Sequence, residues 1–331
     1  MLRRILALAC AGMLAASACA EAARTFFGMD TAMTLRVWGG DDALLDDCAA
    51  EIARLEALFS TTDANSEIAR LNAGETVSLS EDTLTLLAFA LKMGEDTDGA
   101  LDVTLYPVVR AWGFTTGEYR MPEEDELRAL LEHVDYRSVR LEEGAASLPE
   151  GTMVDLGSVA KGYASDKLAA MLRSRGIGTA LIDLGGNIYC LGGKEDGSDW
   201  RVGVRDPLGD GYCAVLTLRD CAVITSGSYE RYFETEDGVR YGHIFDPATG
   251  HPVDGGLLSV TVVGESGALC DALSTALFVM GADRAAEFLA GQDAVRAVLI
   301  EEDGTFLVSQ GLQSQFELAQ TFSERKIQWI E

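Results

Sequence analysis

From Ala180 to Thr225 the chain runs as short apolar stretches broken by glycine-containing turns: Ala180–Ile182, Ile188–Leu191, Arg201–Val204, Cys213–Leu218 and Ala222–Thr225. Stretches this short, each closed by turn residues, predict strands rather than helices. The surrounding segments have helical periodicity instead. Asp41–Phe59 spaces Leu44, Leu45, Cys48, Ile52, Leu55 and Leu58 near helical intervals. Ser66 caps a short helix ending at Leu71-Asn72, Ser80–Met93 and Ser158–Arg175 read as helices, and Pro122–His133 as a charged amphipathic one. Thr25–Trp38 predicts a single strand, Val134–Pro149 a hairpin around Gly144, and Leu257–Val263 a further strand. Ala268–Met280 and Ala282–Ala290 predict two helices parted by Gly281, before a last hairpin of Ala297–Ile300 and Phe306–Val308. Helices and hairpins segregated along a chain give an α+β fold, with mixed or antiparallel sheets flanked by helices, rather than a doubly wound parallel sheet.

Charge narrows the function. The chain carries 26 basic and 53 acidic residues, a net −27. That balance argues against a nucleic-acid binder, which needs clustered Lys and Arg, and against adhesion to anionic lipid. It also repels an anionic ligand unless a bound divalent cation offsets it locally.

Met1-Leu2-Arg3-Arg4 is basic, Ile5–Ala16 is almost wholly apolar, and Ala16-Ser17-Ala18-Cys19 follows. This order predicts an export signal, and the apolar run is too short for a permanent membrane span. Cys19 resembles a bacterial lipobox cysteine, although Ala16 stands where leucine is usual; simple cleavage after Ala20 fits the same residues. The expected organisation is a signal peptide over 1–18, a lipid-anchored tether over 19–24 and one domain over 25–331, held on the extracytoplasmic face of a bacterial cell membrane. The remaining cysteines, Cys48, Cys190, Cys213, Cys221 and Cys270, are odd in number and widely spaced, which suits buried apolar residues and no disulfide framework.

Three segments carry candidate chemistry. Val154–Asp166 runs from strand through a glycine turn into a helix, whose free N–H groups and partial positive charge suit a pyrophosphate. Lys161 lies one turn in; the same residues also suit a capped helix start with a solvated lysine. Asp271 and Thr275, four apart, share a helix face and offer hard oxygens suited to magnesium; an Asp N-cap with a back-bonding Thr fits the spacing as well. In Tyr241–Pro252, His243 stands where a strand meets an Asp-Pro turn, either as a titrating group or as support for the turn. Gly99–Thr104, Trp112-Gly113-Phe114, Asp183–Asn187 and Ser226–Tyr232 are weaker signals.

Taken in order, these segments resemble the ApbE family, the FAD:protein FMN transferases, over about Thr25 to Val308. The resemblance also rests on Met29-Asp30-Thr31, Phe59-Ser60, Ser66–Asn72, Thr225-Ser226-Gly227 and Tyr229-Glu230-Arg231. It implies an enzyme that uses Mg2+ and FAD to attach FMN, through a phosphoester, to a threonine of other proteins, with AMP released. It further implies metal contacts from the Ser158 carbonyl and the Asp271 and Thr275 side chains. Met29, Ala100, Leu101, Asp102, Asp155, Lys161 and Ile244 fall on flavin- or adenine-contacting positions, and His243 on the residue that helps the acceptor hydroxyl attack. The implied acceptors are exported or membrane flavoproteins, such as subunits of sodium-pumping or Rnf-type redox complexes or FMN-binding domains. A magnesium-dependent FAD pyrophosphatase and a non-catalytic FAD-binding lipoprotein are the alternatives. Two positions depart from the family: Asp30 replaces the usual glycine, and no aromatic stands near Thr62.

Overall fold

The computed structural model describes residues 20–235 and 237–331; the expected signal peptide and Cys19 lie outside the described residues. The frame is a nine-stranded sheet. In spatial order its strands are Glu21–Gly28, Thr31–Trp38, Ala180–Asp183, Ile188–Leu191, Cys221–Gly227, Leu257–Gly264, Val295–Glu301, Phe306–Ser309 and Ile327–Ile330. Neighbours pair antiparallel until the last two, which run parallel, so the sheet is mixed and the α+β expectation holds.

The helices are α1 (Asp42–Phe59), α2 (Glu67–Asn72), α3 (Glu81–Asp96), α4 (Tyr106–Ala111), α5 (Glu124–Leu131), α6 (Ala160–Ser174) and α7 (Gly267–Ala290). Asp41, Ser66 and Ser80 cap α1, α2 and α3 by accepting from the backbone N–H three residues on. Gly281, at φ 75° and ψ 174°, breaks α7 into the two helices expected on either side of it. Only a glycine takes that conformation without a Cβ penalty.

Two expectations at the N-terminus are corrected. Thr25–Trp38 is not one strand but two, joined at Met29 and Asp30, whose φ values are 46° and 61°. Two successive left-handed residues make the tight turn that matches strand twist. Glu21–Arg24, read as tether, is the first half of the edge strand, pairing Glu21 with Trp38 and Arg24 with Leu35.

The main core lies between the helices and one face of the sheet, where Met33, Leu35 and Val37 meet residues such as Leu45, Ile52, Leu168 and Leu277. The other face is covered by a three-stranded sheet of Trp200–Arg205, Tyr212–Leu218 and Phe316–Leu318, with Leu216, Val298 and Phe306 between. A third, smaller cluster joins Val108, Trp112, Phe114, Leu127 and Phe245. All five cysteines beyond Cys19 are buried and unbridged, as expected of apolar filler, and burial pushes their thiols above the usual range. Among the described residues no helix is long and apolar enough to cross a membrane.

Candidate active site

The site forms where the first turns of α6 and α7 touch. Gly162 and Gly267 allow the approach: a Cβ on Gly162 would stand 2.2 Å from the Gly267 carbonyl oxygen, and one on Gly267 2.5 Å from that of Gly162. Asp166 locks the crossing by accepting from the N–H groups of Gly267 (2.6 Å) and Ala268 (3.0 Å).

This contact fixes Asp271, which is only 5% exposed. Its Oδ2 accepts from the Gly162 N–H at 2.8 Å and its Oδ1 from Asn187 Nδ2 at 3.0 Å. Burial raises the Asp271 pKa, and Lys161 and the two N–H donors oppose the rise. Ser266, not Asp271, caps α7, so the N-cap reading of Asp271 falls. One turn along, Thr275 Oγ1 lies 3.4 Å from Ser226 Oγ, which also meets Ser274 Oγ at 2.8 Å. Because the Gly162 N–H goes to Asp271, it does not consume the carbonyl of Ser158, the residue four positions earlier. The Asp271 carboxylate, the Ser226 and Thr275 hydroxyls and the Ser158 carbonyl are all hard oxygen donors, of the type that magnesium takes. Among the described residues no group of three His, Cys, Asp or Glu gathers as a metal cluster.

Lys161, the second residue of α6, is the cation whose charge acts on all four of Asp155, Glu230, His243 and Asp271. Burial raises Asp155, against the Gly157 N–H (2.8 Å from Oδ1), Lys161 and Arg231. Glu230 reaches solvent, yet the surrounding protein pushes its carboxyl up to about 7, against the pull of Lys161 and Arg205.

His243 makes two bonds to one oxygen: its backbone N–H and its Nδ1 each lie 3.1 Å from the Arg231 carbonyl. A carbonyl only accepts, so Nδ1 carries the proton and the Nε2 lone pair stays available. Burial lowers the imidazole pKa to about 4, with repulsion from Arg231 and Lys161 adding to it. The ring is therefore neutral at pH 7.

The other expected contact residues lie in segments that packing and backbone hydrogen bonds tie to one another. The Asp155 N–H donates to the Val103 carbonyl at 2.9 Å, which joins its segment to the Ala100–Asp102 loop. Ala100 and Leu101 are buried, and the Asp102 carboxylate is occupied in shaping its own loop, accepting from Thr104 N–H (2.8 Å) and Tyr136 N–H (3.1 Å). Ile244 is buried, and its carbonyl accepts from Val253 N–H. Met29 is half-buried in its hairpin turn, while Asp30 beside it is exposed. Thr31 packs so closely on Gly185 that a Cβ there would lie 2.2 Å from its Oγ1, which brings the Met29 turn to the Gly185-Gly186-Asn187 turn. Asn187 and Ser226 were visible only inside weaker motifs; their contacts with Asp271 and Thr275 make them part of the centre.

A fixed carboxylate, nearby hydroxyls, a lysine at a helix start and a neutral histidine are groups that can support transfer from a phosphorylated ligand. The ApbE family model matches residues 29–299, and the chain belongs to that family. Similar proteins from Treponema pallidum (35% identical, covering 82% of this chain and 80% of that one) and Vibrio cholerae (37%, 74% and 76%) are both named FAD:protein FMN transferase. Among solved structures, the ApbE protein of Thermotoga maritima superposes with a TM-score of 0.80 at 31% identity, over 92% of this chain and 98% of that one. The flavin transferase ApbE of Vibrio cholerae gives 0.78 at 29%, with the same coverage.

Proposed function

We propose that this chain is a FAD:protein FMN transferase that works with magnesium, moves FMN to a threonine hydroxyl of an exported flavoprotein and releases AMP. The transferase class rests on the family and its named relatives. The observation that carries the finer reading is Asp271, a buried carboxylate held by Gly162 and Asn187 beside the Thr275 and Ser226 hydroxyls.

Asp271, Thr275 and the Ser158 carbonyl would hold the metal. When bound, magnesium supplies charge neutralisation at the pyrophosphate. Lys161 and the α6 N-terminus attract the same phosphates. Neutral His243 accepts the threonine proton at Nε2 as the hydroxyl oxygen bonds to the FMN-side phosphorus. The bond from that phosphorus to the bridging oxygen breaks, and AMP departs with the oxygen. Met29, Ala100, Leu101, Asp102, Asp155 and Ile244 would line the flavin and adenine. Anchoring at Cys19 on the extracytoplasmic face belongs to the same proposal and agrees with exported acceptors.

The test incubates residues 20–331 with FAD, magnesium and a threonine-bearing flavoprotein domain, followed by mass spectrometry. An acceptor heavier by one FMN, with stoichiometric AMP, supports the proposal. AMP with free FMN and an unmodified acceptor that other members of the family do flavinylate would make the chain a pyrophosphatase.

A further inference from the structure

The third cluster extends from the core to the surface as a ladder of rings. Buried Trp112, fixed by donating its indole N–H to the Gly250 carbonyl at 2.9 Å, meets Tyr241 at 5.4 Å. Tyr241 stacks on Phe233 at 5.3 Å, and Phe233 on Tyr119 at 5.1 Å with planes 12° apart. Phe233 and Tyr241 face each other across a two-stranded hairpin, Tyr232–Glu234 with Arg240–Gly242, that belongs to no larger sheet.

The end of this ladder is open to solvent. Tyr119, Met121 two residues on, and Val239, two residues before Tyr241 and so on the same side of the hairpin, are 46%, 54% and 44% exposed, three of the seven exposed large hydrophobics among the described residues. On a chain of net charge −27, apolar side chains concentrated in two adjoining segments call for an explanation. Neither segment is loosely attached. Arg231 donates to the Phe114 carbonyl at 3.2 Å, and the stack ties the 115–121 loop to the hairpin.

The surface is continuous with the catalytic base. His243 directly follows the hairpin strand Arg240–Gly242, hangs from the carbonyl of Arg231 at the hairpin's other root, and has Phe114 within 6.4 Å of its ring. A group whose Nε2 takes the acceptor's proton must have the acceptor polypeptide over it. Residues adjoining that group are then covered by the acceptor during every turnover. Rigid aromatic side chains with few rotatable bonds are the residues that anchor such contacts with little loss of conformational freedom.

We infer that Tyr119, Met121 and Val239 form the docking surface for the acceptor protein, receiving apolar side chains that flank its reactive threonine. The assignment rests on the transferase reading above. The residues proposed above to hold FAD do not include Tyr119, Met121 or Val239, so substitutions on this surface are expected to act on the protein substrate alone.

The test uses Met121→Ser combined with Val239→Ser, both on exposed positions, and separately Tyr119→Ser. FMN transfer is measured against concentration of a threonine-bearing flavoprotein domain, alongside FAD affinity from flavin fluorescence and the thermal midpoint. The expected result is a KM for the acceptor raised at least tenfold, with FAD affinity and kcat at saturating acceptor within about threefold of the parent. An unchanged acceptor KM in both variants, with the parent chain transferring FMN, overturns the surface and leaves the transferase intact. A parent chain that transfers no FMN to a domain flavinylated by another family member overturns the transferase reading and this surface with it. A loss of FAD affinity as large as the rise in acceptor KM also overturns it, because the residues would then serve the nucleotide.

Discussion

At the residue scale the proposed chemistry depends on how Asp271 is held. Its two oxygens take one N–H each, from Gly162 and Asn187, so the carboxylate plane is fixed before any ligand arrives. Asp271→Ala removes the one carboxylate of the proposed metal set, and we expect transfer to fall by at least about a hundredfold, the scale of losing a principal electrostatic contact. Unchanged turnover across a magnesium titration would remove Asp271 from the site. Asn187→Ala leaves the carboxylate but not its orientation. The magnesium concentration for half-maximal rate is expected to rise about 10- to 100-fold, as for other partners that orient a ligand, with the maximal rate recovered at high metal. His243 gives a pH signature. Its folded pKa of about 4 lies below the ordinary 6.5, so between those values the unfolded chain binds a proton that the fold does not. Stability from this residue is present above pH 6.5 and is lost as pH falls toward 4. For the same reason the acid limb of kcat/KM belongs near pH 4 to 5. A limb centred near 6.5 would mean that His243 is not the base, whereas His243→Ala should slow transfer while FAD still binds.

At the element scale the site is a crossing of two helix starts, and the crossing is set by glycine. A methyl at Gly162 would lie 2.2 Å from the Gly267 carbonyl and 2.7 Å from Asp271 Cβ. Gly162→Ala therefore has to part α6 from α7. We expect a loss of about 1–3 kcal/mol from overpacking, seen as a lower denaturation midpoint, together with a rate loss larger than the stability loss explains. A variant of full activity would show that the crossing does not set the site. The sequence exposes the parts of this arrangement but not the crossing. Asp271 and Thr275 are four apart, and the Gly157 turn into a helix is local, so both were readable. Asn187 stands 84 residues from its partner Asp271, and no periodicity encodes that contact. The same limit applies to the sheet. Strands closed by glycine were legible, but the Met29-Asp30 turn was hidden, since neither residue is a glycine and the alternation of Met33, Leu35 and Val37 reads on unbroken. Ile327–Ile330 pairs in parallel with Phe306–Ser309 across an intervening segment, a pairing set by tertiary packing.

At the scale of the whole molecule, an acidic chain is asked to take up an anionic dinucleotide. The net −27 repels FAD at long range, while in the proposed site Lys161, Arg231 and the α6 start would attract it. These two fields differ in reach. Exposed charges farther apart than a Debye length are screened, and that length falls from about 30 Å at 0.01 M salt to about 8 Å at 0.15 M. Raising NaCl through this range at fixed magnesium therefore removes most of the distant repulsion and leaves the contacts within a few ångströms largely intact. The rate constant for FAD association, from stopped-flow flavin fluorescence, is expected to rise severalfold over that range, the reverse of the fall seen when opposite charges steer encounter. Dissociation, governed by the close contacts, should change less. A fall in the association rate with salt would mean that the local positive field extends past the acidic surface, and that the cation is not needed to overcome it.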